Sequence, residues 1–461
     1  MNQTWLKSNK FLCLISMLCI LFITGCKKLV QVGEPGDSLT TSTVFSNDSL
    51  AQAAVTGLYI KIMASPKLFL YGGMSLYPAL SADELQRPSL NLEEQFYSNS
   101  ISPTNSIVNS NLWKAAYAYI YQCNICIEGL KKSTGVSAAL KKQLLGEVEF
   151  VRALCYHYLV NLFGDVPLAL GTNADVNAML SRAPVNQVYQ QIVADLTAAS
   201  EELTNDNTNT RPTRYAAQAL LARAYLYMKQ WAKAVEMSSD VINAHRFSMV
   251  GDLSKVFTYN SNEIIFQWVP VGDRMNSAEG FIFVPAFLNQ KPNYWLSKDL
   301  LDAFEPGDLR KLNWVNSVTV GGTTYNYPHK YKVVTSPPPI QEYNVVLRLA
   351  EQYLIRAEAY AQLNKIDSAV IDLDTIRGRA GLPGISTPIS ADSCLHRIEQ
   401  ERRIELFAEW GHRWFDLKRT SRANGILSAK GSSWSTEDQL YPIPAAELNF
   451  APNLEQNPGY E

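Results

Sequence analysis

Two pairs of side chains in this 461-residue chain are spaced so that they could do chemistry. Cys123-x-x-Cys126 has the spacing of a redox dithiol or of half a zinc site. His412 and Asp416, four residues apart, share one face of a helix and could form an acid–base pair or two metal ligands. Structural readings displace both. No second Cys pair follows the first, and the run WKAAYAYIYQCNICIEGL places the two thiols as small apolar side chains within a helix. No third ligand stands at a matching spacing from His412 and Asp416, so neither a metal nor a cofactor is assigned. What remains is aromatic. Trp, Tyr and Phe make up 11% of the chain, and rings set in Gly-, Pro- and Asn-rich stretches are free to offer a flat apolar face to a ligand. Tyr71, Tyr77 and Tyr97 lie in one such stretch; Trp295, Trp314, Tyr325 and Tyr327 lie in another, with Trp295 and Trp314 the preferred pair. Trp113, Trp231, Trp268, Trp410 and Trp414 fall in regular elements and read as structural.

The N-terminus carries a different chemistry. Lys7 and Lys10 precede the apolar run Phe11 to Ile23, which is too short to span a bilayer and suits the apolar core of a secretory signal. It ends in Ile23-Thr24-Gly25-Cys26, which resembles a bacterial lipobox: the small Thr24 and Gly25 fit a peptidase groove, cleavage falls before Cys26, and the Cys26 sulfur carries a diacylglycerol. Each buried methylene of such an anchor contributes about 0.8 kcal/mol, so two or three acyl chains hold durably. The expected division is a signal peptide over 1–25, the lipidated Cys26 with a flexible tether over 26–45, and one body over 46–461. Cys13 and Cys19 leave with the signal, so only Cys123, Cys126, Cys155 and Cys394 belong to the body. With 41 Lys and Arg against 43 Asp and Glu, the net charge of -2 gives no basic field, which excludes nucleic acid as a main partner.

The elements that must position these groups are mostly helical. Apolar residues recur at helical spacing over about 46–64, 111–245 and 345–420, while Pro, Gly, Ser and Asn punctuate two loop-rich stretches, about 65–110 and 246–344. Short strands are expected within the second stretch, at Asn262 to Val269 and Phe281 to Val284. Ala222-Arg223-Ala224-Tyr225 with Ala234-Val235 reappears as Ala357-Glu358-Ala359-Tyr360 with Ala369-Val370, at a constant offset of 135 residues. The small residue, the Tyr three later and the Ala twelve later match a tetratricopeptide helix pair. The fold class is therefore mostly α: a tetratricopeptide-like α-α superhelix with a loop-rich lobe containing short β-strands. The densest stretch is EQERRIELFAEWGHRWFDLKRT, Glu399 to Thr420. Its period places Ile398, Ile404, Phe407 and Ala408 on one stripe of a helix, flanked by Glu401, Arg402, Glu405 and Glu409. Gly411 then allows a bend, after which Arg413, Asp416 and Arg419 are spaced to pair. Such a stretch holds its neighbours by ion pairs.

The same stretch carries a resemblance. ERRIELFAEWGHRWFDLKR resembles the signature of SusD/RagB-type outer-membrane lipoproteins, roughly E-R-R-x-E-L-x-x-E-G-x-R-W-F-D-L-x-R, with Trp410 as an insertion in the Glu-Gly step. AALKKQLLGEVEFVRALCYHYLVNLFGDVPLAL, LLDAFEPGDLR, VLRLAEQYLIRAEAYAQL and the terminal LYPIPAAELNFAPNLEQNPGY resemble further blocks of that family, in the same order, so the likeness runs across the whole mature chain. It implies a non-catalytic lipoprotein at the cell outer membrane, lipid-anchored and facing the exterior. Such a protein binds glycans, whether oligosaccharide, polysaccharide or related nutrients including peptide, and passes them to a partner TonB-dependent (SusC-like) transporter. The aromatic candidates would then stack against pyranose rings. Two other classes stay open: a secreted glycan-degrading hydrolase, which needs a pair of carboxylates at a cleft, and a repeat scaffold that binds no ligand.

Overall fold

The computed structural model describes residues 41–460 apart from 88–90, 206–207, 273–274, 288, 336–338 and 431–432. The expected signal peptide, Cys26 and most of the tether lie outside the described residues. Thr41–Val44 form one helical turn.

From Phe45 onward the helices are amphipathic or wholly apolar and each buries its apolar side on the next. Helix α1 (Asp48–Ile62) starts where the Asn47 side chain accepts the Leu50 N–H. A wide-turned segment, Ile107–Lys114, leads into α2 (Ala115–Lys132). Helix α3 (Ala138–Phe163) is buried around nearly its whole circumference from Leu144 onward and forms the central rod; Gly164, at φ 73, ends it. Then follow α4 (Val185–Glu202), α5 (Arg214–Tyr227), α6 (Trp231–Asn243), α7 (Leu349–Gln362), α8 (Ile366–Arg379), α9 (Ala391–Glu405) and α10 (His412–Arg419). Helix α6 packs directly on α7, although a hundred residues separate them in the chain.

The internal repeat holds at the level of the backbone. Helices α5 and α6 begin at Arg214 and Trp231, and α7 and α8 begin at Leu349 and Ile366, each shifted by 135. Even the turns agree: Lys229 and Asn364, also 135 apart, both take φ 57. The matched alanines, Ala222, Ala224 and Ala234 with Ala357, Ala359 and Ala369, are all buried, where a larger side chain would hold the helices apart.

Between α6 and α7 lies the lobe. Strand β2 (Ile264–Trp268) pairs antiparallel with β6 (Asn344–Arg348), both fully buried, and β6 runs without a gap into α7, so Arg348 is both the strand end and the residue that precedes the helix. A two-residue strand β1 (Leu85–Gln86), from the earlier loop region, pairs with β3 (Trp295–Leu296). β4 (Val315–Val320) and β5 (Thr323–Pro328) form a hairpin whose turn, Gly321-Gly322, has φ 59 and 79, the left-handed geometry that a two-residue hairpin loop requires.

Two expectations are corrected here. Phe281 to Val284 is not a strand: Ala278–Phe283 is helical, and the Ser277 side chain starts it by accepting the Gly280 N–H. The signature helix does not run through Phe407 and Ala408 either. It ends at Glu405, and Ala408 (φ 52), Trp410 (φ 46) and Gly411 (φ 71) turn the chain before α10. Tertiary bonds stabilise that turn. The Trp410 N–H donates to Ser75 Oγ at 3.1 Å and its indole N–H to the Val345 carbonyl at 2.7 Å, so the inserted residue is absorbed as a buried plug.

Candidate functional site

The structure brings two of the seven candidate rings together at the surface. β3 packs on β5, and this sets Trp295 and Tyr325 edge to face, with centroids 5.0 Å apart and planes at 68°. Register explains the orientation. Trp295 lies opposite Gln86 on β1, whose side-chain oxygen accepts the indole N–H at 2.8 Å. Lys291 reaches over the pair, its ammonium 4.7 Å from the Trp295 ring and 4.6 Å from the Tyr325 ring. All three side chains are half-exposed. Tyr327 shares a face of the hairpin with Tyr325 but is buried, edge-on to His329 at 5.8 Å.

The remaining candidates sit elsewhere. Trp314 is fully buried, so the expected Trp295–Trp314 surface pair is corrected. Its indole N–H donates to the Leu253 carbonyl at 2.9 Å, Phe257 packs edge-on at 5.7 Å, and Lys330 and Arg379 lie over its face. Tyr71 and Tyr77 are each 1% exposed. Tyr77 stands within the short helix Gly73–Ser81, accepts a hydrogen bond from Asn111 at 3.2 Å and packs on Phe96 at 4.9 Å. Both belong to the core, because a long irregular segment must build its own apolar interior. Tyr97 is half-exposed, with Lys430 4.6 Å from its ring. Sequence reasoning missed Gln86 and Lys291. Neither has a local signal, since each matters only through a partner far away in the chain.

The signature stretch forms the charged centre of the molecule and joins the lobe to the helices. Arg348 donates to Glu263 at 3.0 Å, to Glu405 at 2.6 Å and to Glu409 at 2.8 Å. Arg310, from the lobe, reaches Asp308 at 2.8 Å and Glu405 at 3.0 Å and also meets Glu401; Arg379, on α8, meets Glu263 at 2.8 Å and Glu405. Burial pushes the Glu405 carboxyl up, but Arg379, Arg348 and Arg310 outweigh it and hold the group well below the usual carboxylate range. Asp416 pairs with Arg402 at 2.7 Å and, as the spacing predicts, with Arg419 at 2.8 Å, whereas Arg413 turns instead to Asp83 at 2.7 Å. These are ion pairs holding layers together, in line with the structural reading of the stretch.

Neither early pair forms a reactive centre. Burial, and then Cys155, push the Cys123 thiol well up, while burial takes Cys126 to about 12. Burial, and then Arg223, keep His412 well below its ordinary value, so it is neutral. Among the buried acids shifted upward, burial, and then Asp83, take Glu84 to about 8, and burial takes Glu279 to about 7 against hydrogen bonds from Ser75 and Asn344. The void beside Glu279 holds only about 10 Å³, less than a sugar needs and close to the minimum for one water. Larger clefts lie in the helical layer. One of about 460 Å³ is lined by the paired charges of Arg402, Asp416, Arg419 and Glu358. Another, of about 430 Å³, is apolar and lies among Trp113, Tyr117, Tyr121 and Phe450.

Comparison with known proteins is consistent along the chain. Residues 313–460 match the SusD family, and residues 70–226 match a related family described as starch-binding associating with outer membrane. SusD-like protein P2 of Formosa agariphila is 26% identical, over 96% of this chain and 98% of its own length. A SusD superfamily protein of Bacteroides vulgatus superposes with a TM-score of 0.80 at 22% identity, covering 90% of this chain and all of that one. A laminarin-binding SusD-like protein superposes with a TM-score of 0.74 at 23% identity over the same shares. With the repeat, the lobe between α6 and α7 and the ERRIELFAEWGHRWFDLKR centre all in place, the chain belongs to the SusD/RagB family.

Proposed function

We propose that this protein is a glycan-binding lipoprotein without catalytic activity, held at the outer membrane through Cys26 and passing oligosaccharides to a TonB-dependent transporter. The observation that carries the binding role is the Trp295–Tyr325 pair, two rings fixed at 5.0 Å on the half-exposed side of the lobe. A pyranose lies with its C–H face on such a ring, and the amide of Gln86 supplies a polar partner nearby. Association with the membrane is supported by the description of the family matched over 70–226 and by the lipobox-like Ile23 to Cys26.

A hydrolase would use a cleft pair of carboxylates. Here the buried acids Glu401, Glu405, Glu409 and Asp416 are each bound by arginine or lysine, and Glu279 faces too little space for a sugar. Electrophoresis of the purified body through gels containing laminarin, starch or mannan tests the reading. Retention is expected with at least one of them, without release of reducing ends, and is expected to fall in Trp295→Ala/Tyr325→Ala. Release of reducing ends, or retention indifferent to that double substitution, overturns it. The anchor is tested separately: Cys26→Ala should move the protein from membranes to the soluble fraction, and its persistence in membranes would remove Cys26 from the reading.

A further inference from the structure

The ring platform carries one charge with nothing opposite it. Three segments build it: 85–86, 289–297 and the hairpin 315–328. Lys291 is the sole charged side chain on them. Its ammonium stands 4.7 Å and 4.6 Å from the two ring centroids, and among the described residues it has no ion-pair partner. Some other cations over rings also meet a carboxylate, as Lys330 over Trp314 meets Glu409, Arg211 over Tyr59 meets Glu147 and Lys67 over Tyr294 meets Glu93. Lys233 over Tyr225 and Lys365 over Tyr360 have no ion pair among the described residues but each lies over a single ring, whereas Lys291 lies over two. The half-exposed platform thus keeps a cation that is free to pair with a counter-charge from outside the protein.

Resting on the binding role above, we propose that the Trp295–Tyr325 platform takes an acidic sugar, one bearing a carboxylate or a sulfate ester, and that Lys291 recognises its charge. For a sugar to lie on either ring the ammonium has to leave the ring face, giving up a contact that is weak at an exposed site. A neutral sugar returns only water or a hydroxyl oxygen to it. An anionic substituent returns an ion pair within reach of the same flexible side chain, while the rings keep the C–H face. The net charge of -2 supplies no general attraction for acidic polymers, so a preference for them would be local to this site.

Matched polymers test this. Laminarin and laminarin oxidised at C6 differ only in carboxylates, and dextran and dextran sulfate differ only in sulfate. The wild-type protein is expected to hold an acidic member more tightly than its parent, up to about fivefold per engaged charge, the range of an exposed ion pair. The gain should shrink in about 0.5 M NaCl, where screening is nearly complete beyond contact distance. Lys291→Gln, a surface change, should erase the gain. A gain for the oxidised member alone assigns a uronate, and a gain for the sulfated member alone assigns a sulfate ester. Equal or weaker retention of both acidic members overturns the proposal, as does a preference that survives Lys291→Gln. Trp295→Ala/Tyr325→Ala separates the layers. If it lowers retention of a neutral parent while the wild type shows no acidic preference, the platform stands and its acidic specificity falls. If it lowers nothing, the platform itself is wrong.

Discussion

The charged centre around Glu405 and the ring platform around Trp295 handle the same ingredients in opposite ways. At the centre, arginines and carboxylates are stripped of water and satisfied by one another, and an aromatic ring, Trp314, serves as the floor beneath Lys330 and Arg379. At the platform, a cation and two rings meet water and carry no carboxylate. The first arrangement fixes geometry; the second leaves valence for a ligand. A ring beside a cation is thus not a binding signature by itself.

That contrast can be broken by substitution. The largest effect is expected from Glu405→Ala, which strands Arg348, Arg310 and Arg379 together; loss of one partner from a buried network costs about 5 kcal/mol. Urea unfolding that shows less than about 1 kcal/mol would mean the centre is not the clamp described here. Trp314→Ala should follow, at about 4 kcal/mol for emptying a packed indole site. In contrast to Trp295→Ala, it should leave glycan retention per folded molecule intact. A third effect depends on pH. The Glu84 carboxyl is raised to about 8 by burial and then Asp83, so in the folded chain it stays protonated where the unfolded chain has lost the proton. The folded state binds more protons between about pH 4.5 and 8, so this group's contribution to stability falls as pH rises through that window, on the order of 2 kcal/mol between pH 5 and 7. Glu84→Gln should flatten that slope, and parallel unfolding midpoints for variant and wild type at both pH values would refute the assignment. The smallest effect is expected from Trp295→Ala on stability, within about 1 kcal/mol for a half-exposed ring; a loss like that of Trp314 would make the platform a piece of core.

The helical body was legible because its signals are local and repeated. Ala222-Arg223-Ala224-Tyr225 and its copy gave a 135-residue offset that the helix starts at Arg214, Trp231, Leu349 and Ile366 obey. The charge density of Glu399 to Thr420 likewise announced ion pairing, although not which partners. The misreadings came where distant parts of the chain decide. Phe407 and Ala408 continue the helical stripe, yet Ser75, more than three hundred residues earlier, holds the Trp410 amide in a turn. Phe281 to Val284 is a short apolar run that period alone cannot assign, and its Ser277 cap was the overlooked cue. Trp314 and Trp295 both sit in irregular sequence; only the lobe's packing separates a buried ring from an open one.

Arg348 ends β6, precedes α7 and binds three carboxylates, so the lobe is bolted to the helical stack at the point where the chain passes between them. Tilting the lobe would tear charge-assisted bonds in a dry interior, so on the proposed reading a sugar would find its seat at the rings already set. Departure would then be governed by the grip of the seat itself, and traffic through such a site by how quickly a sugar lets go.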